Sequence, residues 1–457
     1  MVVQSGMQQT LINIPHEIAG LPLFGFGWAL ICWAIFGGIW LTRFYMQSAQ
    51  RKQDGVGHPL VPIIVIGLII ALVIPFIEPQ DSEGPTGVQI RGYGFFVLLG
   101  VSGGILIASI QARRQGVHPD VVFTMTLFLF LGGVLGGRLW YVLQKWGEFA
   151  VVDRNGVVAW TETLSKILKF TEGGLVVYGA FVGGLIGCSV FLLRRKLPKL
   201  ATLDLIAPAL ALGMFFGRLG CFMNGCCYGG LCTDDLWGVQ FPAGSPPYMR
   251  HLDQGLLFAD PLRERGIEAD FDLRFGFTWN GAVTSIEPNS VGALSGLSRG
   301  DKITIDMRLL DGALGEYFKK QLVGETAFLI KGKDGVVDSV TVGEMPARSL
   351  KVYPAQIYSS INGGLLCLLL WAYFPYRKRD GQILALVFIL YPISRFLLEW
   401  VRSDELGQLG TQLTISQFFS ILTIMFGLGL WTFTHIRKQP LAYPSRESLE
   451  LASASNP

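Results

Sequence analysis

Charge is scarce in this chain. Asp, Glu, Lys and Arg make up 16% of its 457 residues, where an average soluble protein carries nearer a quarter. The deficit excludes a wholly aqueous protein, and the 51% hydrophobic content with a mean hydropathy of +0.44 assigns most of the chain to lipid. A net charge of only +3 argues against a nucleic-acid role, so the basic residues matter by position. Histidine is sparse too. His16, His58, His118, His251 and His435 all lie outside the interiors of the apolar runs, and the His-Glu-x-x-His pattern of a zinc protease is absent. Seven cysteines are too few for a disulfide scaffold. A short signal peptide with a small-residue cleavage site is also lacking, so the first apolar helix reads as a retained anchor. No repeat of paired broken helices of the transporter kind occurs.

What the chain does have is long apolar runs. A membrane span needs about 20 apolar residues, and nine candidates meet that measure: 24–46, 59–78, 93–112, 120–143, 175–193, 203–223, 356–375, 382–402 and 414–435. Basic residues cluster after every second span, at Arg43, Arg51 and Lys52, Arg113 and Arg114, Arg194 to Lys199, Arg377 to Arg379, and Arg437 and Lys438. The positive-inside rule puts those connections in the cytoplasm. The N-terminus is then outside and the C-terminus inside. The loop 144–172 carries Lys145, Arg154, Lys166 and Lys169 and weakens the rule there. One outer connection, 231–352, is far longer and has ordinary soluble composition with period-2 runs at 282–286 and 336–342.

With that topology, polar residues gather toward the outer ends of the spans. They are Tyr93, Arg138, Tyr141, Tyr178, Arg218, Asn224, Gln356, Tyr358, Arg395, Glu399 and Arg402. An arginine at membrane depth is disfavoured by roughly 2.5 kcal/mol or more, so it normally faces a polar cavity. Tyr391, Arg395, Glu399 and Arg402 recur at four, four and three residues, one face of a helix, with Pro392 expected to loosen it. Glu399 can pair with either arginine. A purely structural ion pair is the plain alternative to a functional cavity. The guanidinium fork suits bidentate contact with phosphate, and a phosphate at this depth belongs to a lipid headgroup. Binding, flipping and chemistry are all open on this reading.

Ordered motifs carry the argument further. Ile90-Arg91-Gly92-Tyr93-Gly94 is followed by Gly136-Gly137-Arg138-Leu139-Trp140-Tyr141, by Gly173-Gly174 through Tyr178-Gly179, and by GRLGCFMNGCCYGG at 217–230. Trp237 to Pro242, Tyr353-Pro354-Ala355-Gln356-Ile357-Tyr358, Arg395-Phe396 with Glu399 and Arg402, and Ile415-Ser416-Gln417 complete the set. Over 88–250 and 348–436 the chain resembles the prolipoprotein diacylglyceryl transferases. That resemblance implies transfer of a diacylglyceryl group from phosphatidylglycerol to the thiol of a lipobox cysteine in a prolipoprotein signal peptide. A thioether forms and glycerol 1-phosphate leaves. It also implies a bacterial inner (cytoplasmic) membrane location and no cofactor or metal. Carried over by position, Arg218, Arg395, Tyr178 and Tyr93 are the expected catalytic residues. Arg138, Asn224, Gly229, Gln356, Tyr358, Tyr391, Glu399 and Arg402 are the expected substrate contacts.

Three departures qualify the resemblance. Tyr178 stands where the family usually has histidine, and a phenol of pKa about 10 is a weak base unless a positive field lowers it. Either Tyr178 takes the proton, or His251 does, or activity is altered; a lipid-binding scaffold without transfer is the competing expectation. Cys221 and Cys226 replace an asparagine and a glutamate. Together with Cys227 and Cys232 they read as packing residues or one disulfide rather than metal ligands, since their spacing fits no zinc pattern. Third, the chain adds material: residues 1–80 carry an extra helix pair, and 252–347 form an insertion. Within it, 281–306 resembles the core of a bacterial PDZ domain, with Phe275-Gly276-Phe277 as a carboxylate-cradling turn for a peptide ligand. A rigid cap over the cavity is the alternative.

The expected architecture is therefore an all-α polytopic membrane protein of about nine transmembrane helices with an inserted soluble, mainly-β PDZ-like domain. Its transferase core is split into 81–251 and 348–438, the insertion is periplasmic, and the polar tail 439–457 is cytoplasmic.

Overall fold

The computed structural model describes residues 10–48, 64, 67–73, 80–81, 84–85, 88–150, 159–168, 176–233, 237–275, 278–306, 326–333, 335–399, 413–437 and 441–443. In chain order these hold β1 (Thr10–Ile14), α1 (Trp28–Ser48), β2 (Val88–Arg91), α2 (Gly92–Arg114), α3 (Asp120–Gln144), α4 (Trp160–Leu168), α5 (Val177–Arg194) and α6 (Lys199–Asn224). A short helix α7 (Pro246–Asp253) leads to five strands, β3 (Ile267–Phe275), β4 (Thr278–Ile286), β5 (Lys302–Asp306), β6 (Thr326–Gly332) and β7 (Gly335–Thr341). Helices α8 (Ala355–Tyr373), α9 (Gln382–Leu398) and α10 (Ile415–Arg437) follow.

Among the described residues five helices, α2, α3, α6, α8 and α10, are long and apolar enough to cross a membrane, and only 17–44% of their most apolar windows is buried inside the protein. Outward-facing side chains such as Leu98, Leu106, Phe130, Leu368 and Phe426 remain exposed, which a lipid environment satisfies and water does not. Three shorter apolar helices accompany them, Trp28–Thr42, Tyr178–Arg194 and Gln382–Leu398. The expected second span, 59–78, lies largely outside the described residues, as do Arg402 and the turn residues Gly276 and Phe277.

The chain divides into two compact units, one of Thr10–Gly94 with Thr124–Lys196 and one that includes Phe95–Phe123 and Leu197–Pro457. In the first, β1 pairs antiparallel with β2, and α3 meets α5 along two rows of glycine. A Cβ added to Gly136 would lie 2.4 Å from the Gly179 carbonyl oxygen, and one on Gly183 would lie 2.1 Å from that of Gly132. Gly132 and Gly136, and Gly179, Gly183 and Gly187, are spaced by four, so each row lies on one helix face. Lipid offers no hydrophobic drive between helices, and this backbone-to-backbone approach supplies the dispersion contact that holds them.

In the second unit α6 packs most extensively on α8. Gly363 makes this approach possible, since a Cβ there would lie 2.9 Å from the Phe215 amide nitrogen. Ser360 Oγ donates to the Phe215 carbonyl at 2.9 Å. At the far end of α6 the buried Asp204 carboxylate accepts the Gly381 and Leu384 amides at 2.7 and 2.9 Å. Its oxygens thereby cap α9, taking up two amides that the helix start leaves without an intrahelical partner. Pro392 sits within α9, as expected, and removes the amide that would bond the Phe388 carbonyl. Gly427 of α10 lies against that carbonyl; a Cβ there would come within 3.0 Å of its oxygen.

The inserted segment is an antiparallel meander, in the order β7-β6-β5-β4-β3. Between β4 and β5 the short helix Val291–Leu294 is capped by Ser290, whose Oγ accepts the Ala293 amide at 3.2 Å. A strand, a short capped helix and a strand thus follow one another over 278–306. Phe258 centres the core, with Trp279, Phe328 and Phe271 edge-on at 5.0–5.6 Å. Tyr248 and Leu252 of α7 belong to that core, so the packed body starts a few residues before 252. Its two chain connections are tied together by antiparallel bridges between Val239 and Val352 and between Pro242 and Arg348.

Arg265 is a buried polar hub of the insertion. It donates to Asp338 at 2.6 Å, to Glu344 at 2.9 Å and to the Ser339 and Pro261 carbonyls at 3.0 Å. The Thr341 amide and hydroxyl, with Arg265 behind them, hold the Glu344 carboxyl down at about 2. A depressed carboxyl stabilises the fold above its ordinary range and loses that contribution as pH falls. Amide protection of 335–344 in the full chain, corrected for intrinsic exchange, should therefore decline between about pH 5 and pH 2, and Glu344→Gln should flatten the decline. Gly183→Ala should strongly lower the thermal midpoint in detergent, whereas Gly184→Ala, where a Cβ meets nothing closer than 3.5 Å, should be nearly neutral. Equal midpoints would mean that the glycine rows do not set the packing.

Candidate active site

Helices α6 and α9 end, and α8 begins, at the same end of the second unit, opposite the Asp204 cap. Fourteen residues separate Asp204 from Arg218 on α6, about 21 Å along the axis. Gly225, with φ of +72°, stops α6 in a left-handed cap. The loop it starts is stitched to the strand entering α8. The Gly229 amide donates to the Tyr353 carbonyl at 2.8 Å, and Tyr353 returns a bond to Gly230 at 3.0 Å. From α8, Gln356 is fully buried and its Nε2 donates to the Cys226 carbonyl at 2.7 Å. The signature loop is therefore held from both sides.

The charged residues gather around this loop. Arg218, half-buried in the last turns of α6, lies beside Tyr391 of α9 and close to Cys221 and Cys227. One helical turn beyond Tyr391, Arg395 pairs with Glu399 and donates to Ser416 Oγ of α10 at 3.0 Å. Residues four apart on a helix stand roughly 5–6 Å apart at Cβ, so the two arginines flank one short stretch of α9. Glu399 is buried and also accepts the Thr414 hydroxyl at 3.2 Å. Its paired geometry offsets the desolvation of Arg395 and fixes the direction of the fork. Asn224 is exposed and Tyr358 half-buried at the same end.

Thr414 and Gln417 were missed as supports. The Gln417 amide donates to Thr414 Oγ1 at 3.2 Å and the Thr414 amide to Gln417 Oε1 at 3.0 Å. This is a capping box, legible in Thr414-Ile415-Ser416-Gln417 just before an apolar run. A histidine also sits nearby. His251 lines a cleft of about 200 Å3 together with Tyr228, Gly229 and Arg250. Its Nδ1 accepts the Leu350 amide at 3.2 Å, and burial and then the Arg250 charge keep its pKa below the ordinary value.

Tyr93, Arg138 and Tyr178 belong to the first unit. Tyr178 is 73% exposed in the first turn of α5, and Tyr93 is 47% exposed in the first turn of α2. Arg138 is buried, and its guanidinium donates to the Ile167 and Lys166 carbonyls at 2.9 and 3.2 Å. It closes the C-terminal end of α4 and lies over the Phe149 ring at 5.3 Å.

Arg218 and Arg395 thus stand toward the same end of a set of apolar helices, in the manner of a multi-pass membrane protein. A family profile described as prolipoprotein diacylglyceryl transferase matches residues 85–263 and 301–433. A phosphatidylglycerol–prolipoprotein diacylglyceryl transferase of Rhodopirellula baltica is 32% identical over 93% of this chain and 89% of its own length. One from Clostridium tetani is 25% identical over 77% of this chain and 96% of its own, and a second clostridial protein, from Clostridium perfringens, is 24% identical over 77% and 93%. The chain belongs to the prolipoprotein diacylglyceryl transferase family.

Thr414→Val removes both the cap and the hydroxyl that anchors Glu399. It should lower stability by about 1–2 kcal/mol, read as a drop in thermal midpoint in detergent, while Thr414→Ser should stay near the parent. No drop in the valine variant would mean that the capping box contributes nothing.

Proposed function

We propose that this chain transfers the diacylglyceryl group of phosphatidylglycerol to the lipobox cysteine of prolipoproteins, with Arg218 and Arg395 as the phosphate-holding pair. The observation that carries the reading is the convergence of the two arginines on one stretch of α9, with Arg395 held by Glu399 and Ser416, in a chain of this family. The substrate thiol attacks the terminal glyceryl carbon. A C–S bond forms, the C–O bond to phosphate breaks, and the electron pair leaves on glycerol 1-phosphate. Negative charge grows on that phosphate, where pre-oriented guanidinium donors act most strongly.

Around this core, Tyr391 and Glu399 act as positioning residues for the two arginines, and Gln356 shapes the signature loop. Asn224, Gly229 and Tyr358 line the headgroup. The roles of Tyr93, Tyr178 and Arg402 rest on the resemblance alone, which puts Tyr178 and Tyr93 at the reacting groups. Arg138 acts by holding α4 rather than by touching substrate. The finer topology is nine spans in a bacterial inner membrane, with the N-terminus and the insertion periplasmic and the C-terminus cytoplasmic. The insertion is a PDZ-like module that holds a peptide by adding it as a strand.

Incubating the purified protein with phosphatidylglycerol and a lipobox peptide, and weighing the peptide, tests the transfer. Arg218→Ala and Arg395→Ala should each reduce the rate by on the order of a hundredfold or more. Near-parental turnover in either would place the phosphate elsewhere, and no added diacylglyceryl mass with the parent chain would favour a lipid-binding scaffold.

A further inference from the structure

Three thiols come together beside Arg218. Cys221 lies on the last turn of α6, and Cys226 and Cys227 follow the left-handed Gly225. Cys227 is itself left-handed, at φ +60°, a conformation that costs an L-residue about 1–2 kcal/mol. Among the described residues only three other non-glycine positions share it, Ala19, Lys196 and Asn289. The turn has a clear result: the Sγ atoms of Cys221, Cys226 and Cys227 all lie within 4.8 Å of one another. No disulfide joins them. Their backbone is fixed from two directions, because the Cys226 amide donates to the Cys221 carbonyl at 3.1 Å while Gln356 holds the Cys226 carbonyl. Linear spacing hid this arrangement, since a helix cap rather than a knuckle brings the third sulfur in.

We propose that Cys221, Cys226 and Cys227 form a three-thiolate site for a divalent d10 cation, Zn2+, whose fourth position receives the thiol of the incoming lipobox cysteine. Zinc–sulfur bonds of about 2.3 Å in tetrahedral geometry put sulfurs roughly 3.8 Å apart. Closing the observed cluster onto an ion thus takes an ångström or less of side-chain rotation. Thiolates select soft and borderline cations over Mg2+ or Ca2+. Three protein ligands with one open position is the arrangement of catalytic rather than structural zinc. Three thiolates and Zn2+ leave one negative charge, and the adjacent Arg218 guanidinium offsets it.

The site addresses a chemical gap. A free cysteine has a pKa of about 8.5 and an unaided tyrosine one of about 10, so Tyr178 alone is a poor partner for deprotonation at neutral pH. Ligation to the cation deprotonates a thiol outright. The proton passes to water, and the sulfur attacks the glyceryl carbon while the C–O bond to phosphate breaks toward Arg218. The product thioether is a weaker ligand and leaves the fourth position to water. No group is oxidised or reduced. This inference rests on the transfer reading above, but its primary readout is independent of turnover.

The test uses the full chain in nanodiscs, under reducing conditions, loaded with Co2+ as the probe. One cobalt per chain with an intense sulfur-to-cobalt charge-transfer band is expected. Cys226→Ser and Cys227→Ser should lose the band with unchanged thermal midpoints, and Cys32→Ser should keep it. Adding a lipobox peptide should shift the ligand-field bands, and the same peptide with serine for its cysteine should not. Stripping the metal should slow transfer by on the order of tenfold, the gain in thiolate that ligation supplies. Sub-stoichiometric cobalt, a band that survives the triple serine variant, a Cys221–Cys226 disulfide in the reduced preparation, or spectra unmoved by the cysteine peptide would each overturn the proposal. Full-rate transfer by metal-free protein would overturn it while leaving the transfer reading intact. Stoichiometric cobalt in a chain that never modifies peptide would refute the transfer reading instead.

Discussion

A guanidinium cannot rest alone at the end of a membrane helix. Its charge is costly to take from water, so each buried arginine must bring partners that hold it without neutralising its purpose. Arg395 solves this with Glu399 and Ser416, and Arg218 lies beside Tyr391. Both solutions draw on α9, so this one helix sets the spacing of the two positive groups. The Asp204 cap at its start and the Gly427 contact at its proline fix where α9 sits.

Small residues do the remaining positioning. In one unit the glycine rows of α3 and α5 bring backbones into contact, and in the other Gly363 lets α8 lie on α6. Because lipid resembles the apolar side chains, neither pairing is driven by burial from water. Close approach, reinforced by Ser360 and Asn362 across the helices, takes its place. The inserted body is held differently, by an aromatic core around Phe258 and the Arg265 hub, as suits a segment with the composition of a water-facing domain.

Much of this was legible in the sequence. Apolar run length gave the long helices, the four-residue spacing of Tyr391, Arg395 and Glu399 gave their shared face, and the ordered motifs gave the family. What was not legible depends on contacts between segments far apart in the chain. Arg138 reads as a membrane-depth arginine in linear sequence, but it closes α4, a helix whose end lies almost thirty residues away. The Thr414–Gln417 cap was visible as a pattern and overlooked because the run after it drew attention to lipid. The clustering of the three cysteine sulfurs depends on a chain that doubles back through Gly225 and Cys227, which linear spacing does not show.

The central claim is that Arg218 and Arg395 grip the same phosphate. Solid-state NMR of the protein in phosphatidylglycerol bilayers, with the arginine Cζ carbons labelled, measures this directly through carbon–phosphorus dipolar recoupling. The account predicts that two labelled carbons dephase against one lipid phosphorus, with Arg218→Lys and Arg395→Lys each removing one. Dephasing of a single carbon, or of neither, would contradict it.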